Sequence, residues 1–217
     1  MSRLRVAVIV EGDGDFAAVP VLLRRIWHEM LQREFIDVRQ PIRIPRSRLL
    51  KSDVPRNAIV PNEVELGRAL AYAMAKIQPH PDDPLPNLVL VLFDANSDCP
   101  AYLAPAVLEC AKTRIPNCDV VCVFPNPEYE TWFVGAAQSL GKYLKLSPDE
   151  SIPEHPEIQK SRKAWIQKHF RHGRYSETAD QPTLTARMDL DLCRKRCPSF
   201  DKLCRELEKR GVSQSCQ

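Results

Sequence analysis

The sequence predicts an α/β fold: a mainly parallel sheet flanked by helices, followed by a helical C-terminal subdomain. Three observations carry that expectation. Residues 4–10 (LRVAVIV) and 88–93 (LVLVLF) are near-continuous apolar runs of strand length, the pattern of strands buried on both faces. Stretches with apolar residues at helical spacing alternate with such runs as far as about Gly141, an order that makes parallel strands with right-handed crossovers. Beyond Gly141 the strand pattern is lost, and the chain becomes charged and helical in period. The expected division is 1–140 for the sheet domain and 141–217 for the helical subdomain.

The elements follow in order. The first helix is expected from near Asp15, with Phe16, Val19, Leu22, Leu23, Ile26, Trp27, Met30 and Leu31 at helical spacing. A second strand over 36–44 contains Pro41, which lacks a backbone donor and so points to a sheet edge. Residues 45–60 read as a long basic loop. A helix over 62–77 ends before Pro79 and the turn-rich stretch 79–86. A helix over 102–112, a strand over 120–124 and a helix from about Pro127 complete the sheet domain. The tail carries helical patterns over 156–170, 183–195 and 200–210.

Bulk properties exclude some classes and leave others open. The chain has 217 residues, 44% hydrophobic and 27% charged, which suits one compact domain or a domain with an appendage. A net charge of +3 is too mild to indicate nucleic acid by itself. Apolar runs of about seven residues fall far short of the roughly 20 that span a bilayer, and the N-terminus lacks a signal-peptide layout. A cytoplasmic protein without membrane partners is expected. Eight cysteines occur without a C-x-x-C pair, so buried reduced thiols are expected rather than a zinc site. A Gly-rich P-loop and a Ser-His-Asp or Cys-His arrangement are both missing from the sequence.

The chemistry is concentrated at two strand ends. The first strand empties into Glu11-Gly12-Asp13-Gly14-Asp15, and the strand over 88–93 into Asp94-Ala95-Asn96-Ser97-Asp98. Ligands of open α/β sheets bind at that carboxyl edge. Carboxylates this dense repel one another unless a proton or cation neutralises them. Magnesium or manganese takes hard oxygen ligands, so Glu11, Asp15, Asp94 and Asp98 are candidate ligands, with Glu11 and Asp94 also candidate catalytic groups. Each has an ordinary structural alternative. Asp15 could cap the first helix, and Asp98 a helix starting near Pro100. Glu128 and Glu130 are possible additional acids, or helix N-terminal charges complementing the dipole. Asp13 reads as a solvated turn residue.

Two basic stretches flank this acidic centre. Lys160, Arg162, Lys163, Lys168, Arg171 and Arg174 occur without an intervening acid, interleaved with Trp165, Phe170 and Tyr175. Cations grip phosphates and aromatics stack on bases, so the segment is a candidate nucleic-acid-binding surface. Its alternative is a solvated helix face whose aromatics enter the core. Arg39, Arg43, Arg46, Arg48, Lys51 and Arg56 form a second basic lip. Gly12-x-Gly14-x-x-Ala17 with Asp37 formally matches a dinucleotide fingerprint. Glu11, Asp13 and Asp15 would crowd the pyrophosphate, however, and Asp37 falls at the start of its strand.

An apolar strand ending in Glu11-Gly12, a carboxylate at Asp15, and a later strand ending in Asp94 with a second Asp nearby resemble the Toprim domain of topoisomerases, primases and OLD-family nucleases. Most of the chain resembles, more narrowly, the Toprim-like domain-of-unknown-function 4276 family. That likeness rests on Val10-Glu11-Gly12, Pro127-Glu128-Tyr129-Glu130-Thr131-Trp132-Phe133, Tyr175 through Asp180-Gln181, Met188-Asp189, and Pro198-Ser199-Phe200-Asp201-Lys202. The Toprim likeness implies Glu11 as acid/base or metal ligand and an Asp-x-Asp pair for Mg2+. The third place of that pair is Asn96, which leaves Asp98 to supply the second charge. It further implies a nuclease acting on nucleic acid, DNA before RNA, with a possible partner ATPase in defence against phage or plasmids. A non-catalytic binding or regulatory subunit, which Asn96 favours, is the alternative.

Overall fold

The computed structural model describes residues 3–53, 58–78, 86–147, 152–158 and 162–210. Parallel strands in the order β2-β1-β6-β7 form the central sheet. They are β1 (Arg3–Val10), β2 (Phe35–Val38), β6 (Asn87–Leu92) and β7 (Asp119–Val123). The second strand predicted over 36–44 is divided by its proline. β2 pairs with β1 from Arg3↔Phe35 to Val6↔Val38, and the two-residue β3 (Ile42–Arg43) resumes the same edge at Ile9↔Ile42. Pro41 breaks the ladder without moving the chain off it, as expected of proline at an edge.

Strand alternation sorts the core into two layers. Leu4, Val6, Val8 and Val10 of β1, with Leu88, Leu90 and Leu92 of β6, face one cluster. Ala7 and Ile9, with Val89, Val91 and Phe93, face the other. This period of two, apolar on both sides, is why the runs read as continuous. The second cluster is covered by α3 (Glu63–Lys76) and α4 (Pro100–Arg114). Asn62 caps α3 by accepting the Glu65 N–H at 3.4 Å.

The 45–60 region contains more structure than the expected loop. A one-turn α2 (Arg46–Leu49) leads into a hairpin of β4 (Leu50–Asp53) and β5 (Ala58–Pro61), paired from Leu50↔Pro61 to Asp53↔Ala58. Arg56 and most of the 79–86 turn lie outside the described residues.

The first cluster is covered by α1 (Asp13–Arg25), which continues as a π-helical turn over Ile26–Met30, and by the helices that follow β7. Those are α5 (Glu130–Gly135), α6 (Arg162–His169), α7 (Glu177–Thr185), α8 (Leu190–Arg196) and α9 (Pro198–Glu208). The helix predicted over 183–195 is two helices, because Asp189 starts a new one by accepting the Leu192 N–H at 2.8 Å. Leu184, Met188, Cys193, Phe200 and Leu203 are fully buried in the same cluster as β1 and α1. Trp132, also fully buried, donates from Nε1 to Ser199 Oγ at 2.8 Å. Among the described residues, no helix is long and apolar enough to cross a membrane. Of the seven described cysteines, all with free thiols, five are buried.

Candidate active site

Glu11 follows β1 and Asp94 stands just beyond β6, two neighbouring strands with Ile9 opposite Val91, so both carboxylates leave the sheet at one edge. A cleft of about 300 Å3 opens there. Among the described residues, six carboxylates line it, from Glu11, Asp15, Asp94, Glu128, Glu130 and Glu177, against one ammonium, that of Lys163. Gly12, Gly14, Asn96, Tyr129 and Gln181 complete the wall.

Local structure fixes each acid. Asp15 lies in the first turn of α1, where its Oδ2 accepts the Gly12 N–H at 3.2 Å and its Oδ1 accepts from Gln181 Nε2 at 2.7 Å. Burial raises its pKa, and those two hydrogen bonds oppose the rise. The helix cap itself is Gly12, so Asp15 is not the N-cap that the sequence allowed. Asp94 Oδ1 accepts the Tyr129 N–H at 2.9 Å. Desolvation, then the charges of Asp15, Glu130, Glu11 and Glu128, hold Asp94 well above the usual carboxylate range. Glu11 is raised by burial and by Asp15, with Arg46 and the Asp94 backbone N–H opposing. Its Oε2 is buried without a hydrogen-bond partner. Glu130 is 3% exposed, its Oε1 likewise has no partner, and burial pushes it up to about 7. At the mouth, Glu128 Oε1 accepts the Lys163 N–H at 2.5 Å, and Lys163 Nζ pairs with Glu177.

The loop after β6 is braced against the loop after β7. Ala95 N–H donates to Pro125 O at 2.9 Å, and Asn96 N–H to Pro127 O at 2.8 Å. Asn96 has φ +54°, a left-handed conformation that asparagine adopts more readily than most residues. Its appearance in the third place of the acidic motif therefore has a backbone reason. The same turn sends Asp98 away from the cleft, where it pairs with Arg46 and lines a separate cavity beside Tyr102. Asp98 is thus placed neither among the cleft acids nor as a helix cap, since Cys99 caps α4. Asp13 is exposed and pairs with Arg43 at 3.2 Å.

The basic segment divides. Lys160 lies outside the described residues. Arg162 is buried rather than displayed, donating from Nε to Pro156 O at 2.5 Å and from Nη2 to His155 O at 3.3 Å. Lys163 reaches the cleft, and Lys168, Arg171 and Arg174 are exposed. Trp165, Phe170 and Tyr175 pack against the core, so the expected stacking surface is not formed by them. The second lip is largely committed to acids, with Arg39 on Asp37 at 3.4 Å and Arg48 on Glu65 at 2.5 Å. Asp37 also holds Arg5 at 3.0 Å, and Gln181 occupies the space over Gly14, so the dinucleotide reading has neither its acid nor its room.

Two features of this cleft would suit a hard divalent cation. All the candidate donors are oxygens, and burial, with the neighbouring carboxylates adding to it, raises Asp94 and Glu130 toward protonation. Glu11, Asp15, Asp94, Glu128 and Glu130 could hold it. Among the described residues, no group of three or more His, Cys, Asp or Glu side chains is placed so that it could hold a metal ion.

Gln181, Glu177 and Gly14 were not singled out as site residues by sequence reasoning. The available signal was the spacing of Glu177, Gln181 and Thr185, four apart on one helix face. Residues 10–208 match the model of a family described as a domain of unknown function (DUF4276). No curated protein and no solved structure matches the chain.

Proposed function

The chain belongs to the DUF4276 family, and we propose that it is a metal-dependent nuclease of Toprim type, hydrolysing phosphodiester bonds with Mg2+ or Mn2+. The carrying observation is the cleft itself, with Glu11 and Asp94 at the ends of adjacent parallel strands and six carboxylates facing one ammonium. A bound divalent ion would stabilise negative charge developing on the phosphoryl oxygens. Glu11, Asp15 and Asp94 would hold it, with Asn96 lining the same cleft. Glu130, titrating near neutrality, keeps or releases a proton beside the reacting phosphate. Lys163, Lys168, Arg171 and Arg174 contact the backbone of the nucleic acid, and phosphate contacts of this kind position a strand without reading its sequence.

The finer reading is DNA as substrate, the cytoplasm as compartment, and a partner ATPase in defence against phage or plasmids. The support for DNA, the partner ATPase and defence is the motif likeness to Toprim proteins alone, an argument by analogy, and that for the cytoplasm is the short apolar runs and N-terminal pattern of the sequence. A non-catalytic binding or regulatory subunit is the second reading, favoured by Asn96 in the acidic motif and by the commitment of Asp98 to Arg46.

The test is cleavage of supercoiled plasmid and labelled single strands with Mg2+ or Mn2+, alongside Glu11→Ala and Asp94→Ala. Cleavage reduced to background in both variants is expected. Equal cleavage by wild type and variants would overturn the reading. Metal binding without any cleavage by the wild type would favour the binding subunit.

A further inference from the structure

The cleft has a second wall from the C-terminal part of the chain, and that wall is ordered along one helix. Glu177, Gln181 and Thr185 of α7 are four residues apart, so they lie on one face. They meet three different groups in turn. Glu177 pairs with Lys163 at the mouth, Gln181 Nε2 donates to Asp15 Oδ1 at 2.7 Å, and Thr185 Oγ1 lies 3.1 Å from the Tyr129 hydroxyl. Exposure falls along the same line, from a partly exposed Glu177 to 2% at Gln181 and 0% at Thr185.

Close approach of α7 to α1 depends on Gly14. A Cβ there would stand 2.1 Å from Gln181 Oε1 and 3.0 Å from the Glu177 carbonyl oxygen. The missing side chain is what lets the Gln181 amide lie over the first turn of α1 and reach Asp15. The chemistry of the amide matters as well. An arginine or lysine at this place would neutralise Asp15, whereas a glutamine fixes one carboxylate oxygen and leaves the full charge for a cation. With the Gly12 N–H on the other oxygen, both edges of the Asp15 carboxylate are held by uncharged donors.

We infer that Gln181 is a positioning residue for the metal site, acting through Asp15, and that the site is completed by α7 rather than by the sheet edge alone. This rests on the metal-site reading above. Gln181 touches neither substrate nor reacting atoms. Outer partners of this kind set the orientation of a ligand, and their removal typically weakens metal affinity about 10- to 100-fold.

The experiment is a Mn2+ titration of the full chain, read by electron paramagnetic resonance of the free ion, together with the melting temperature of the metal-free protein. Wild type, Gln181→Met and Gln181→Asn are compared with Arg33→Met. Arg33 caps the end of α9 through the Leu207 and Glu208 carbonyl oxygens, both at 2.7 Å, so its loss loosens the C-terminal helices away from the cleft. Gln181→Met keeps the length and packing of the side chain and removes the donor. Its Mn2+ affinity should fall about tenfold or more, while Arg33→Met should melt lower with unchanged Mn2+ affinity. Gln181→Asn keeps the amide but is too short to reach, and should behave as Gln181→Met does, which covers failure of the methionine variant to fold. Wild-type affinity in both Gln181 variants would overturn the inference and leave the metal site standing. An equal loss in Arg33→Met would also overturn it, by showing that packing alone is responsible. No binding by the wild type would overturn the metal site and this inference together.

Discussion

Glu130 makes the electrostatic argument testable at a single residue. Its carboxyl titrates near 7 in the folded chain against an ordinary 4.5, because burial opposes its ionisation. The folded state therefore binds the proton more tightly than the unfolded state. The resulting stabilisation is complete below about pH 4.5, declines as pH rises, and is gone above about pH 7. Its size is on the order of 3 kcal/mol. Glu130→Gln in the metal-free protein should remove that decline and melt above wild type at pH 8, as followed by thermal unfolding across pH 4–8. A variant that keeps the wild-type pH dependence would exclude Glu130 as its source. At the same scale, Glu11 and Asp94 were legible in the sequence because a carboxylate directly after a doubly buried strand has few structural uses. Asp98 was not, because its direction depends on one left-handed residue, Asn96, and on Arg46 from a segment read as loop.

At the scale of elements, the helix pair α1 and α7 carries the site and is sensitive to its spacing. Gly14→Ala would place a methyl group on Gln181 and on the Glu177 carbonyl oxygen. Overpacking of this kind costs about 1–3 kcal/mol, or roughly 2–4 °C in melting temperature per kcal/mol for a chain this size. Calorimetry should show that loss, and Mn2+ affinity should fall with it as Gln181 is displaced. The sheet strands were readable from the sequence because burial on both faces writes an unbroken apolar run. The hairpin of β4 and β5 was not, because Leu50-Lys51-Ser52-Asp53 and Ala58-Ile59-Val60-Pro61 have little alternation and acquire their structure by pairing with each other. Within the basic segment over 160–174, the burial of Arg162 was hidden for a related reason. A guanidinium that satisfies loop carbonyls, as Arg162 does, and one that awaits a phosphate are the same letter in a sequence.

For the molecule as a whole, the sheet places two acids at one edge and the C-terminal helices close over them from a shared core. That long-range closure, Asp15 to Gln181 across 166 positions, is the part of the site that local sequence patterns could not reveal. The result is a cleft whose charge is unbalanced until protons or a cation enter it. The most direct test is calorimetric titration of the wild-type chain with Mn2+ near pH 6.5 in two buffers of different ionisation enthalpy, which counts the protons displaced. Binding with net proton release is predicted, because burial raises Asp94 above the ordinary carboxylate range and a cation held by its carboxylate competes with the proton. Absence of binding, or binding without proton release, would contradict the account.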